Sequence, residues 1–166
     1  MHSIPIRSFR YIQKRPDLAR SHILLAEDDD AMRSLVAVTL REDGYEVTEA
    51  RDGGRLLAHL ANEYLSTKRP WESFDLIVSD IRMPVCSGLR IVEALRRGHW
   101  PTPMVLMTAF GDEQTRAVAT GLGVVLLDKP FDLDELKSTV VRLLTERSVR
   151  TSPIRGMGGR RLPRTS

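Results

Sequence analysis

FDLIVSDIRMPVCSGL, residues 74–89, is an apolar run that ends in a carboxylate and then breaks into a loop. Its first half carries the aliphatic and β-branched side chains of a buried strand, and the run stops at Asp80. Pro84 and Gly88 then mark a loop. A carboxylate at the end of a core strand costs free energy unless a cation or a hydrogen-bond donor meets it. The pattern therefore predicts a partner for Asp80.

Four further apolar runs surround this one, separated by longer segments with helical spacing. In chain order the five runs are HILLAED, YEVTEA, FDLIVSD, PMVLMTA and GVVLLDKP. Between them, apolar side chains recur three and four positions apart, which indicates one buried face per helix. This alternation predicts an α/β fold, a doubly wound five-stranded parallel sheet with right-handed crossovers. The second run is the most polar, so we expect it at an edge of the sheet.

Polar side chains follow or end these strands. In a parallel sheet the strands finish at the same edge, and ligands bind in the crevice there. We therefore expect these strand-end residues to lie together: Glu27, Asp28, Asp29, Asp80, Thr108 and Lys129. Clustered carboxylates need a cation, and ligand sets made only of oxygen atoms suit Mg²⁺. With such a cation bound, a carboxylate oxygen of Asp80 could accept a phosphoryl group that Lys129 and Thr108 also contact.

Through these motifs the sequence closely resembles the receiver domain of two-component response regulators, of the chemotaxis-regulator type. The motifs are LLAEDD, SDIRMP, MTAF and DKPF, within a resemblance that covers about residues 22–146. It implies the flavodoxin-like strand order 2-1-3-4-5, which sets the first and third strands side by side. It also implies that Asp80 is the phosphoacceptor, Thr108 the switch hydroxyl and Lys129 the phosphate-binding lysine. The Mg²⁺ ligands it implies are Glu27, Asp28, Asp80 and the main-chain carbonyl of Arg82.

Each motif also has an ordinary structural interpretation. The acidic run at residues 27–30 could be a helix N-cap with first-turn acids, Asp80 a turn carboxylate and Thr108 a plain strand residue. The functional interpretation is favoured because all of these residues are expected at one sheet edge, in the order found in the family.

Two features depart from the family. Leu126 stands where many receivers carry an aromatic residue, and residues 62–73 form an insertion expected to extend the second helix or to offer a contact surface.

The charges are unevenly distributed along the chain. Residues 1–22 hold five Lys or Arg and one acid, and residues 147–166 hold six Arg and no acid, so the middle is acidic although the net charge is +3. We expect a basic N-terminal extension over residues 1–21, the receiver over residues 22–146 and a basic disordered tail over residues 147–166. Cys86 is the single cysteine and no run reaches transmembrane length, which predicts a cytoplasmic protein without membrane insertion.

The leading hypothesis is a stand-alone receiver that acts as a binding module rather than an enzyme. A histidine kinase or phosphotransfer protein would phosphorylate Asp80, and output would come through an unidentified downstream protein. About twenty residues follow the last predicted helix, too few for a DNA-binding output domain. One alternative is nucleic-acid binding through the Arg-rich ends, which the acidic domain and the lack of interleaved aromatics argue against. Another is a phosphatase with an aspartyl nucleophile in residues 28–30, working with Lys129.

Overall fold

A computed structural model describes Leu18 and residues 20–151, which form alternating strands and helices. The strands are β1 (His22–Ala26), β2 (Glu46–Ala50), β3 (Leu76–Asp80), β4 (Met104–Thr108) and β5 (Val125–Asp128). The helices are α1 (Asp30–Glu42), α2 (Gly53–Ser66), α3 (Gly88–Arg97), α4 (Glu113–Gly121) and α5 (Leu133–Thr151). The predicted α/β alternation is confirmed.

The five strands form one parallel sheet in the order β2-β1-β3-β4-β5. This is the predicted flavodoxin-like order, with β1 and β3 side by side. The polar strand β2 lies at one edge, as expected, and β5 forms the other edge. The carboxyl ends of β1, β3, β4 and β5 therefore follow one another along one side of the sheet.

Strand side chains alternate between two apolar clusters, one on each face of the sheet. On one face, Leu24 and Leu106 pack with the buried residues of α2, α3 and α4. On the other face, Leu25 and Met107 pack with those of α1 and α5. Helices thus cover both faces, as a doubly wound sheet requires.

The insertion at residues 62–73 is largely ordered by hydrogen bonds. α2 continues to Ser66, and a short 3-10 helix follows at Pro70–Glu72. The carbonyl of Trp71 accepts hydrogen bonds from the Thr102 hydroxyl at 3.1 Å and from the Arg147 guanidinium at 2.8 Å. The insertion therefore extends the second helix, which is one of the two predicted outcomes. Its C-terminal part is hydrogen-bonded to Thr102, just before β4, and to Arg147 of α5.

α5 continues beyond the boundary expected at residue 146. It reaches Thr151, and Arg147 also lies 3.5 Å from a carboxylate oxygen of Asp75. Residues 147–151 are therefore helical, in place of the disorder expected for the start of the tail. Most of the predicted N-terminal extension, and residues 152–166 of the predicted tail, lie outside the described residues. Within the part of the chain that the structure describes, no helix is long and apolar enough to span a membrane.

Candidate functional site

The carboxyl edge of the sheet brings together most of the residues predicted to converge there. The residues at the strand ends are Glu27 directly after β1, Asp80 at the end of β3, Thr108 at the end of β4 and Lys129 directly after β5. The register pairs Asp80 with Met107, so β3 and β4 end almost level. The convergence follows from the parallel topology, since all four residues stand at the same end of their strands.

Lys129 bridges two buried carboxylates. Its Nζ lies 2.6 Å from Oε2 of Glu27 and 3.0 Å from Oδ1 of Asp80. Glu27 is 1% exposed and Asp80 is 5% exposed, so water solvates neither carboxylate well. The cationic partner predicted for Asp80 is thus Lys129, which reaches it from the far side of β4.

The lysine does not balance the negative charge of the site. Burial raises the pKa of Glu27, and the hydrogen bond from Lys129 offsets only part of this effect. Burial by itself would lower the pKa of Lys129, but hydrogen bonds to Glu27 and Asp80 and their charges outweigh it, so the pKa of Lys129 is raised. The Lys129 ammonium is thus held in its charged form, and this one cation faces the two carboxylates of Glu27 and Asp80. The edge therefore accommodates further positive charge.

The acidic residues after β1 divide between two roles. Carboxylate oxygens of Glu27, Asp28 and Asp80 all lie within 4.8 Å of one another. Asp29, which was expected to join them, instead caps α1, because its Oδ1 accepts the Met32 N–H at 2.7 Å. The N-cap interpretation is right for Asp29, whereas Asp28 belongs to the carboxylate cluster.

The donor set at this edge fits Mg²⁺. Three carboxylates supply only oxygen ligands, which a hard divalent cation prefers. The Lys129 ammonium contacts Glu27 and Asp80, while Asp28 forms no ion pair with any residue of the range 20–151. Asp28 is exposed, which leaves space for the water ligands that Mg²⁺ retains. A part for the Arg82 carbonyl in metal binding stays a prediction.

The loop after Asp80 folds back tightly onto its strand. Gly88, the first residue of α3, donates its N–H to the Ile81 carbonyl at 3.0 Å. A Cβ at Gly88 would lie 2.3 Å from the carbonyl oxygen of Asp80, so a side chain there would force the backbone apart. In the same loop, Val85 has a φ of 73°, which is strained for a β-branched residue. No sequence pattern pointed to this strain beside the acidic edge.

The loop after β4 is connected to the loop after β3 through side chains. The Thr108 hydroxyl accepts the Phe110 N–H at 3.1 Å. The Arg82 guanidinium lies over the Phe110 ring in a cation–π contact. Arg82 and Phe110 stand two positions after Asp80 and Thr108, and no sequence pattern predicted that their side chains touch.

Main-chain bonds join the ends of β4 and β5. The Lys129 N–H donates to the Thr108 carbonyl at 2.6 Å. Three residues earlier, Leu126 pairs with Leu106 and packs, partly buried, against the cluster of α2, α3 and α4. An effect of Leu126 on switching stays a prediction.

Comparison with known proteins agrees with this geometry. The family model for the response regulator receiver domain matches residues 23–141. The chain belongs to this family. Receivers accept a phosphoryl group on an aspartate and bind Mg²⁺ at an acidic site, and this receiver has an acidic cluster at the carboxyl edge of its sheet.

Curated relatives of this receiver are bacterial regulators. It is 32% identical over 133 residues to the regulatory protein AtoC of Escherichia coli, and this alignment covers 80% of this chain and 27% of AtoC. It is 33% identical over 122 residues to the transcriptional regulatory protein FixJ of Bradyrhizobium diazoefficiens, and this alignment covers 73% of this chain and 55% of FixJ. The receiver thus spans about a quarter of one relative and about half of the other.

Solved structures share the same fold. The receiver domain of Francisella response regulator 1452 aligns with a TM-score of 0.66 at 27% identity, covering 76% of this chain and 98% of that chain. The response regulator TrrA of Thermotoga maritima, solved in complex with Mg²⁺ and BeF, aligns with a TM-score of 0.59 at 29% identity. That alignment covers 74% of this chain and 98% of TrrA.

Proposed function

We propose that Asp80 is the phosphoacceptor of this receiver and that the transfer needs Mg²⁺, held by Glu27, Asp28, Asp80 and the Arg82 carbonyl. The observation that supports this most is the meeting of three carboxylates and Lys129 at strand ends that are far apart in sequence. Buried charges are costly, so a sheet edge serving only stability would not need this arrangement. The donor is a histidine kinase or a phosphotransfer protein, as for receivers generally.

Asp80 supplies the nucleophile. One carboxylate oxygen forms the new P–O bond while the P–N bond of the donor phosphohistidine breaks, and the histidine ring keeps the electron pair and gains a proton. The Lys129 ammonium, 3.0 Å from Oδ1 of Asp80, is placed to bind an oxygen of the attached phosphoryl group. Mg²⁺, when bound, neutralises negative charge on the carboxylates and the phosphoryl oxygens.

The attached phosphoryl group changes the partners of Lys129 and Thr108. Without it, Lys129 contacts Glu27 and Asp80, and the Thr108 hydroxyl accepts the Phe110 N–H. A dianion on Asp80 attracts both groups, so the loops after β4 and β5 move and the equilibrium between two states shifts. We propose that this shift changes binding of a downstream protein.

We also propose that this receiver is located in the cytoplasm, a reducing compartment that suits the free thiol of Cys86.

The test is labelling with acetyl phosphate, followed by mass-spectrometric mapping of the modified residue. We expect one phosphoryl group on Asp80, absent in Asp80→Asn and absent when a chelator removes Mg²⁺. The matched control is Asp128→Asn, because Asp128 also stands at a strand end but pairs with Arg116. Labelling that persists in Asp80→Asn would overturn the proposal. A label mapped to Asp28 or Asp30 would support the phosphatase alternative instead.

Two further expectations stay predictions. The stand-alone arrangement is untested, since the receiver spans only part of the curated relatives AtoC and FixJ. Nucleic-acid binding through the Arg-rich ends rests on sequence alone, because those ends lie mostly outside the described residues.

A further inference from the structure

An apolar groove lies between α2 and α3, outside the acidic site. It has a volume of about 360 Å³, and its lining includes Leu57, Ala61, Tyr64 and Leu65 of α2 and Ala94 of α3. We call it the α2–α3 groove. Tyr64 is 69% exposed and Leu65 is 83% exposed. Exposed apolar side chains that adjoin one another are a common feature of interaction surfaces.

The fold does not need these side chains to hold α2 in place. Leu56 and Leu60 already bury the inner face of α2 against the sheet, at 0% and 4% exposure. Leu57, Ala61 and Leu65 follow one another at four-residue spacing and form a second apolar stripe on the exposed side of the helix. The apolar surface of α2 is therefore wider than its packing on the sheet requires.

The rim of the α2–α3 groove is basic on one side. Arg90 and Arg97 stand four positions before and three positions after Ala94, so they lie on the same face of α3, and both are exposed. Neither arginine forms an ion pair with any residue that the structure describes. On the α2 side, the exposed residues next to the stripe, Ala58 and Asn62, are uncharged. The groove thus combines an apolar floor with a cationic edge.

We propose that the α2–α3 groove binds an amphipathic helix of another protein, with apolar side chains in the groove and carboxylates facing Arg90 and Arg97. Helix binding in a groove joins apolar anchors with charges that set orientation. Residues 1–17 of this chain complement the rim poorly, because four of their five charged side chains are basic. The proposal does not depend on phosphorylation of Asp80, so either one can fail alone.

The test uses two synthetic helical peptides with the same leucine stripe, one edged with glutamate and the other with lysine. Each is titrated into the full chain and followed by calorimetry, with tryptophan fluorescence as a second signal, because one of the two tryptophans, Trp100, lines the groove. We expect the glutamate peptide to bind at least about tenfold more tightly than the lysine peptide. Leu65→Asp should weaken binding of the glutamate peptide by roughly tenfold or more.

The matched control is Leu35→Asp, since Leu35 is also exposed, at 49%, but lies on α1 across the sheet from the groove. It should leave peptide binding unchanged. Arg90→Glu combined with Arg97→Glu should reverse the preference between the peptides. Equal affinities, no binding of either peptide, or an equal loss in Leu35→Asp would overturn the proposal.

Two other occupants of the groove are also distinguished. If deletion of residues 2–17 strengthens peptide binding, the N-terminal segment occupies the groove, which contradicts the proposal. If the chain is a dimer that Leu65→Asp converts to a monomer, the occupant is a second copy, and the proposal is likewise overturned. Sedimentation of the full chain and its variants separates these cases.

Discussion

The guanidinium carbon of Arg82 lies 5.1 Å from the centre of the Phe110 ring, so the loops after β3 and β4 touch through these two side chains. Arg82 is two positions after Asp80, and Phe110 is two positions after Thr108. Hydrolysis of an aspartyl phosphate needs a water in line with the leaving oxygen, and a phenyl ring offers that water no hydrogen bond. We therefore predict a longer-lived phosphorylated form than in receivers with small polar residues at these positions.

Loss of phosphate after labelling measures this lifetime. Phe110→Glu and Arg82→Asn should each lose the phosphoryl group faster than wild type. In the double variant the hydrolysis rate should be roughly tenfold higher than in wild type. Arg90→Asn is the control, since it removes an exposed arginine from α3 rather than from the loop after β3. Hydrolysis at the wild-type rate in all three site variants would show that the pair does not shield Asp80.

Thr108→Ala should separate phosphorylation from its consequence. The hydroxyl of Thr108 accepts the Phe110 N–H rather than contacting Asp80, so acetyl phosphate should still label Asp80 in the variant. The phosphorylation-dependent NMR shifts of α4 and β5 should be much reduced. Thr108→Ser retains a hydroxyl and should respond like wild type. A full response in Thr108→Ala would place the switch elsewhere.

Gly88→Ala should destabilise the domain by about 1–3 kcal/mol, because an added methyl group would overlap the backbone at Asp80. The nearest atoms are the Asp80 carbonyl oxygen at 2.3 Å and the Ser79 hydroxyl oxygen at 2.8 Å. Gly121→Ala is the matched control, since its Cβ would meet no atom within 4 Å. Gly121→Ala should leave stability unchanged or raise it by up to about 1 kcal/mol. Urea unfolding measures both, and equal effects would contradict the close approach at Gly88.

The N-cap of α4 should make stability depend on pH. Asp112 accepts the Thr115 N–H at 2.7 Å, and this hydrogen bond lowers the pKa of Asp112. A lowered pKa means that the carboxylate stabilises the fold above the usual aspartate range and stops doing so as the pH falls through the lowered value. Wild type should therefore exceed Asp112→Ala in stability near neutral pH, and the difference should shrink in acid. Asp112→Asn, which has no carboxylate to titrate, should differ from Asp112→Ala by an amount independent of pH.

The sheet and the meeting of its strand ends could be predicted because both follow from short-range patterns. Apolar runs and helical spacing define the βα units, and parallel topology then sets Glu27, Asp80 and Lys129 at one edge. Confirmed predictions include the edge position of β2, a cationic partner for Asp80 and the strand order, which the resemblance to receivers implied.

Details that depend on packing could not be predicted in the same way. Asp28 and Asp29 are identical residues in sequence, and only the path of the backbone decides which one caps α1. α5 continues past residue 146, where Arg147 contacts the carbonyl of Trp71, a residue 76 positions earlier that no local pattern connects with it. The left-handed backbone of Val85 is a property of its loop, since a β-branched residue does not itself favour it.

The ion pair between Lys129 and Glu27 joins residues 102 positions apart in the chain. Closing so long a loop costs entropy, which the docking of β5 beside β4 helps to offset. In a growing polypeptide whose fifth strand has not yet been synthesised, the carboxylates of β1 and β3 have no lysine between them. The strand that is synthesised last therefore completes this site, and a chain that stops before Lys129 keeps the carboxylates but lacks the lysine that bridges them.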